Sequence, residues 1–465
     1  MVARARSGRP LAAGRARWPL GIAAVAGLVV LAGIGFQLAE RRLGVGLSSD
    51  SYSYLAWAER FLADGELGHT PYDFTAPKPL ALAVATVGDA LGIPVAFFGT
   101  WGVLTSFGAV LAAGALARRF AGWPAAVAAG VLAAALPSLV RGGWAGDATV
   151  AYAACVVGAA ALPPGRVRPA AVLLGVAGLL RPEAWGLAAV YAALAWRGAA
   201  RAERATAVAA VVVPPALWLS FDWIATGDPL YGAHATDRFG VVAVPFRDLP
   251  GIVGDLVPEL VGWPLLVLGL VALGAGLRRC PLDPAVVLPL AVLASLLVDI
   301  GLGLIGEEPL GRYALGVFLF VPAGAAIVLA QAPGRARLPV LAAGTAACLG
   351  FLAGPLGDSR DLLEQRGRMA AELDEELAPV VERALAGGGL VGTELDWGGA
   401  LAVYSDVPRQ RIVPVRAVGG EVDADLVRVL LVLAERQERR DARGAELPPG
   451  REAARSALWR LYEPG

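Results

Sequence analysis

The chain contains no asparagine at all, which rules out an N-glycosylation acceptor anywhere along it. It has a single lysine, Lys78, among 40 basic residues, and only two histidines, His69 and His234. Its three cysteines, Cys155, Cys280 and Cys348, stand alone in or beside apolar segments. That spacing excludes a disulfide framework or a thiolate metal cluster, and reads instead as small buried apolar residues. Two distant histidines make a metal pair the minor reading, so no metal site is expected. Charge is also scarce, at 17% of residues, where a soluble domain carries about 25%. Acids and bases cancel to zero net charge, which argues against a nucleic-acid partner.

What fills the chain instead is hydrocarbon: 57% of its 465 residues are hydrophobic, the composition of a membrane protein. Alanine, glycine, valine and leucine dominate and arginine has displaced lysine, as in a GC-rich bacterial genome. Against that background Lys78 stands out, because an ammonium and a guanidinium differ in shape and hydration; the alternative is chance survival.

The start, "MVARARSGRPLAAGRARW", carries five arginines and no acid. The run from Trp18 to Ala39 then suffices to cross about 30 Å of hydrocarbon. It is too long for a signal-peptide core and lacks a small-residue cleavage pattern, so it reads as an anchoring helix. Further apolar segments alternate with short connections. Those at Arg118-Arg119, Arg166 to Arg168, Arg197 to Arg204, Arg278-Arg279 and Arg335 to Arg337 bear arginine, which places them with the N-terminus in the cytoplasm. The connections Glu40 to Pro94, Arg141 to Asp147, Asp222 to Pro258 and Leu304 to Gly311 then face outside. This pattern requires Leu80 to Leu91 to lie on the surface or re-enter. It also requires Pro169 to Trp196 to make two short passes that turn at "RPEAW". The expectation is a mainly α, polytopic bundle of about eleven crossings.

From Asp358 onward the composition becomes charged. An amphipathic stretch, Arg360 to Leu385, precedes short strand candidates at "LVGTE", "RIVPV" and "VRVLLVL". The glycine-rich "AGGGLVGTELDW" lacks Walker spacing and reads as a turn into a strand. Residues 1–357 thus form an expected membrane domain with an outer loop over 40–94, and residues 358–465 a small α/β domain placed outside by crossing parity.

Ionisable residues collect at the expected outer edge: Asp50, Asp147, Arg181 and Glu183 in "LLRPEAW", Asp299, and Arg312 with Tyr313 in "RYALGVFLF". Charge at membrane depth is costly and usually has a partner or a task. A carboxylate such as Asp50 can take a proton from an attacking hydroxyl. Cations such as Lys78, Arg181 and Arg312 can stabilise a departing phosphate. Plainer readings stand beside these. Asp50 could cap a helix starting at Ser51, and Asp147 could be an N-terminal helix charge rather than a second acid. Arg181 could pair with Glu183 or Asp147, and Tyr52, Tyr54 and Trp57 read as interfacial anchors.

The layout resembles the GT-C superfamily of integral-membrane glycosyltransferases, among them the protein mannosyltransferases and the lipid A aminoarabinose transferases. The resemblance rests on the order and sidedness of "SSDSYSYLAWAERFLADGEL", "TAPKPLALAVATVGDALG", "GLLRPEAW", "ATGDPLYGAHATDRF" and "GRYALGVFLFVPAG", over about Trp18 to Ala330. It implies a polyprenyl-phosphate sugar donor, an acceptor lipid, glycan or protein, and inversion at the anomeric carbon on the extracytoplasmic face. By the resemblance Asp50 would be the base and lipid phosphate would bind near Arg181 and Arg312; the residues themselves add Lys78 and Tyr313 as candidate phosphate contacts and Asp147 or Glu183 as a candidate second acid. The chain departs from the family where Asp50 is flanked by Ser49 and Ser51 instead of a second acid. That counts against a divalent cation, which one carboxylate holds poorly. The competing function is a multi-pass transporter or lipid flippase, which would usually show related halves and midplane charges; neither is evident.

Overall fold

Forty-one consecutive residues, Pro94–Ala134, are helical apart from one break. At 1.5 Å per residue a straight helix of that length would run about 60 Å, twice the hydrocarbon of a bilayer. Gly122 divides it, at φ 79° and ψ −173°, with Pro124 just beyond. The left-handed φ is one that only glycine adopts at little cost. The two arms fold back on each other: a Cβ built on Gly114 would lie 3.1 Å from the Ala126 carbonyl oxygen, and one on Gly130 3.7 Å from Val110. Small residues let the arms approach, as between membrane helices generally.

The computed structural model describes residues 28, 30–39, 46–65, 78–231, 261–303, 319–386, 388–393, 400–401, 403, 405, 412–414, 427–433, 450–455 and 459–464. The chain is mostly helical. After Val30–Ala39 come Ser49–Asp64, Pro79–Ala90 and the broken Pro94–Ala134. Pro137–Trp144, Ala148–Ala161, Val167–Gly178, Glu183–Ala195 and Arg201–Thr226 follow. The last group is Trp263–Arg279, Pro284–Gly303, Phe320–Leu329, Arg337–Glu372 and Ala378–Leu385. Among the described residues three helices are long and apolar enough to cross a membrane: Pro94–Ala134, Arg201–Thr226 and Gly334–Leu385. Large apolar side chains such as Leu111, Val127, Leu217 and Phe351 point away from the protein, as lipid-facing residues do. The chain is a membrane protein.

Four of the five arginine-bearing connections fall at helix ends, and Arg118-Arg119 lies just before the break at Gly122. The turn expected at "RPEAW" is present, Val167–Gly178 ending and Glu183–Ala195 beginning around it. Two boundaries move. The connection assigned to Asp222 onward starts later, because the helix runs on to Thr226 and buries Asp222. Most of the Arg141 to Asp147 connection is helical, as the end of Pro137–Trp144. Cys155 and Cys348 are partly or fully buried, but Cys280 is exposed, because it ends the Trp263–Arg279 helix just past Arg279.

One end of the bundle is pinned by Arg119. Its Nη1 donates to the carbonyls of Ala160 and Leu162, each at 3.1 Å, and its Nη2 pairs with Asp283. Asp283 in turn accepts from the Ala285 amide at 2.8 Å, opening the next helix. Arg337 donates to the Ala121 carbonyl, and the Arg118 guanidinium lies 3.9 Å above the Trp123 ring.

Residues Arg337–Glu372 form one helix in which apolar sequence passes into charged sequence at Asp358 without a break. A π-helical turn, Leu373–Leu377, and Ala378–Leu385 continue it. The expected strands appear as β1 (Leu390–Thr393), β2 (Ile412–Pro414) and β3 (Val427–Leu433). Two more, β4 (Gly450–Arg455) and β5 (Trp459–Pro464), complete a sheet of order β2-β1-β3-β5-β4. β1 is parallel to β2 and β3, while β5 is antiparallel to β3 and β4. The fully buried Trp459 donates its indole N–H to the Met369 carbonyl at 3.2 Å, seating the sheet on the long helix.

Candidate active site

Ser48 opens the Ser49–Asp64 helix. It sits in extended backbone and its hydroxyl accepts from the Ser51 amide at 3.2 Å. Asp50 therefore lies inside the first turn and is not the cap; the serine two residues earlier takes that task. The helix N-terminus still favours negative charge there. The Ser51 hydroxyl is buried and donates to the carbonyls of Ala145, at 2.9 Å, and Gly146, at 3.2 Å. The Ser48 amide donates to the same Ala145 carbonyl at 2.8 Å. Through these bonds the turn that carries Asp50 is fastened to the turn Ala145–Asp147.

Asp147 caps the Ala148–Ala161 helix, accepting from the Thr149 amide at 2.7 Å. Thr149 links the turn to the next piece. Its hydroxyl accepts from Arg181 Nη1 at 3.1 Å. Arg181 is 4% exposed and also grips Glu183, through Nη2 at 2.6 Å and Nε at 3.2 Å. The expected ion pair thus forms with Glu183, two residues away, and the Tyr152 ring lies 5.8 Å from the guanidinium. The Trp185 indole donates to the Gly178 carbonyl at 3.0 Å, satisfying an acceptor released where the preceding helix stops.

Lys78 closes the cluster. It precedes the Pro79–Ala90 helix, whose start is tied to the arginine turn by the Leu80 amide donating to the Leu179 carbonyl at 3.3 Å. Its ammonium lies 3.6 Å from Asp50 Oδ2, with both side chains 13% exposed, and 5.8 Å from the Tyr54 ring centre. A separation of 3.6 Å is an ion contact, beyond the 2.7–2.9 Å of a charge-assisted hydrogen bond.

The structure therefore brings Asp50, Lys78, Asp147, Arg181 and Glu183 to one end of the bundle, although they span more than a hundred positions. Arg312, Tyr313, His69 and His234 lie outside the described residues, as does the side chain of Asp299. Tyr52, Tyr54 and Trp57 are each 1% exposed, so they pack the interior and are not interfacial anchors. Their helix lies against other helices: Tyr54 stacks on Phe98 at 6.1 Å and meets Trp57 edge-on at 5.6 Å. Two contributors were not singled out from the sequence, Thr149 and Ser51. Thr149 has a weak signal, a hydroxyl two residues past a capping aspartate. Ser51 has none beyond sitting next to Asp50.

No protein-family model matches the chain, and no curated protein matches it in sequence. Its fold does match solved structures. The ArnT of Cupriavidus metallidurans bound to undecaprenyl phosphate superposes with a TM-score of 0.57 at 16% identity, covering 94% of this chain and 98% of that one. The same protein in the apo state gives 0.58 at 16% identity over the same shares. The oligosaccharyltransferase of Archaeoglobus fulgidus in the apo form gives 0.53 at 13% identity, over 93% of this chain and 71% of that one. The chain therefore shares its overall fold with these solved proteins over nearly its whole length.

Proposed function

We propose that the chain is an inverting membrane glycosyltransferase. It moves a sugar from a polyprenyl-phosphate donor to a hydroxyl of a lipid, glycan or protein acceptor, with Asp50 as general base. The observation that carries this reading is the Asp50–Lys78 pair, an acid and a cation 3.6 Å apart and mostly buried. It lies within a fold shared over nearly the whole chain with a protein solved with undecaprenyl phosphate.

The Asp50 carboxylate takes the acceptor hydroxyl proton while that oxygen attacks the anomeric carbon. The carbon–oxygen bond to phosphate breaks on the opposite side, and the phosphate leaves with the electron pair. The donor is a phosphodiester and the leaving group a monoester, so about one unit of negative charge develops during the step. Lys78 is placed to meet it, because a loose ion contact leaves a flexible ammonium able to re-aim. Two unit charges near 4 Å attract by about 4 kcal/mol at an effective dielectric of 20, close to three powers of ten in rate before desolvation. Arg181 is neutralised by Glu183 and acts mainly to hold its turn, and with it the lysine. Among the described residues, nothing favours a divalent cation beside Asp50. The ammonium of Lys78 occupies the approach to Asp50, and the described residues gather no group of three metal-binding side chains.

The orientation that goes with this reading puts the N-terminus in the cytoplasm, with about eleven crossings and residues 1–357 in the membrane. Residues 358–465 and the site then face outward. The test reconstitutes the full chain in liposomes with polyprenyl-phosphate pentose and hexose donors and measures release of polyprenyl phosphate. Asp50→Asn is expected to insert and fold normally and to lose about 10³-fold or more in turnover. Transfer at the wild-type rate in that variant would remove Asp50 as base.

A further inference from the structure

The segment Gly46–Ser51 is held from two sides. On one side, the buried Ser51 hydroxyl bridges the carbonyls of Ala145 and Gly146 and lies 2.7 Å from the Ser48 hydroxyl, while the Ser48 amide takes Ala145 as well. The opposing turn has little room to yield. Gly146 has φ 70°, and a Cβ there would meet Phe98 Cδ1 at 3.0 Å and Ser51 Oγ at 3.2 Å. On the other side, Gly46 lies against backbone: a Cβ on it would come within 2.9 Å of the Arg366 carbonyl carbon and 3.0 Å of the Gly367 nitrogen. Those residues belong to the Arg337–Glu372 helix that seats the sheet through Met369 and Trp459.

We propose that Ser51 and Gly46 are positioning residues that hold Asp50 against the Ala145–Gly146 turn and the long C-terminal helix. This rests on the reading of Asp50 as base. Neither residue touches the reacting atoms; each fixes the turn from which the carboxylate projects. Placement at that point is worth activity, since a displacement of about 1 Å in a reacting group can cost about 10²-fold in rate. Ser51 also explains why a second acid is missing beside Asp50. That position is buried and its hydroxyl is committed to two carbonyls, so a carboxylate there would be pressed against two backbone acceptors.

The experiment compares Ser51→Ala, Ser51→Thr and Gly46→Ala with wild type and Asp50→Asn in the liposome assay, following kcat, donor KM and thermal unfolding. Ser51→Ala is expected to lower kcat by about 10- to 100-fold with donor KM within about twofold. Ser51→Thr, which keeps the donor hydroxyl, is expected to recover most of it. Gly46→Ala is expected to lower kcat in the same way without loss of the folded protein. Wild-type kcat in Ser51→Ala, or a fall in all three variants that tracks lost folding and is not relieved in Ser51→Thr, would overturn the proposal. Full activity in Asp50→Asn would instead overturn the reading beneath it, so the two failures are distinct.

Discussion

The two ends of the bundle are built from the same kinds of residue and put them to different use. Gly102 packs against the Gly146 turn near Asp50, and Arg119 is seventeen residues further along the same helix arm, about 25 Å away. Both ends hold cation–carboxylate pairs of similar burial: 17% and 13% exposed for Arg119 and Asp283, 13% each for Lys78 and Asp50. Burial therefore does not tell the structural pair from the one proposed to do the chemistry. Saturation does. Arg119 gives its donors to two carbonyls at a helix C-terminus and to a carboxylate that is itself a cap. Lys78 and Asp50 face each other without a direct hydrogen bond, on two separate helix starts, with an aromatic ring beneath the ammonium. The first arrangement is a rivet that gains nothing by moving, and the second is an acid and a cation that can part.

The sharpest way to break this contrast is to make the working pair behave like the rivet. Lys78→Met should lower turnover by about 10³-fold, the size of the charge interaction lost with the leaving phosphate. Lys78→Arg should stay well below wild type, because a planar guanidinium can engage Asp50 bidentately and would lock the pair. Steady-state kinetics with the polyprenyl-phosphate donor measures both. If Lys78→Arg matches wild type, any cation suffices there and the contrast between the long and the short ion contact loses its meaning.

A smaller effect is expected at Glu183. Glu183→Gln keeps an acceptor for Arg181 but removes the charge that balances a guanidinium 4% exposed to solvent. Breaking one side of a buried pair commonly costs 3–5 kcal/mol, and the retained amide should reduce that to about 2 kcal/mol. Turnover should fall about tenfold through the Leu179–Leu80 link to Lys78. Thermal unfolding in detergent alongside kinetics separates the two changes. A variant that loses stability but no activity would detach the arginine turn from the lysine.

Much of this could be read from the chain before any coordinates. Arginine placement put a connection at Arg118-Arg119, beside the break at Gly122, and a turn at "RPEAW", because charge and proline mark helix ends in hydrocarbon whatever packs around them. Asp50, Lys78, Arg181 and Glu183 were legible as rare ionisable residues beside long apolar runs. What stayed hidden depends on partners distant in sequence. Nothing near Ser51 announces that Ala145 and Gly146 supply its acceptors. Nothing in "SYSYLAW" tells a buried aromatic face from one at the membrane surface, since both need the same spacing. Strands β4 and β5 were also missed, because "GREAAR" and "WRLYEP" carry charge and proline and become strands only beside β3. Local chemistry showed where charges stop a helix, and only the assembled bundle showed which charges meet.

The smallest expected change in chemistry comes from cutting the rivet. Arg119→Met removes the donors to Ala160 and Leu162 and leaves the Asp283 carboxylate without its cation. Thermal stability should fall by about 3 kcal/mol, while kcat per folded molecule stays within about twofold, since the site is about 25 Å away. The penalty has two parts that a second substitution can divide. Asp283→Ser keeps an oxygen to cap Ala285 but has no charge to strand, so it should cost little in the Arg119→Met background and more in the wild type. A coupling energy near zero in that cycle would mean the pair is incidental and the carbonyl bonds alone hold the end together. A fall in kcat that follows the loss of stability would mean that this end is not merely structural, and that the bundle transmits its closure along the Pro94–Ala134 and Ala148–Ala161 helices to the turn carrying Asp50.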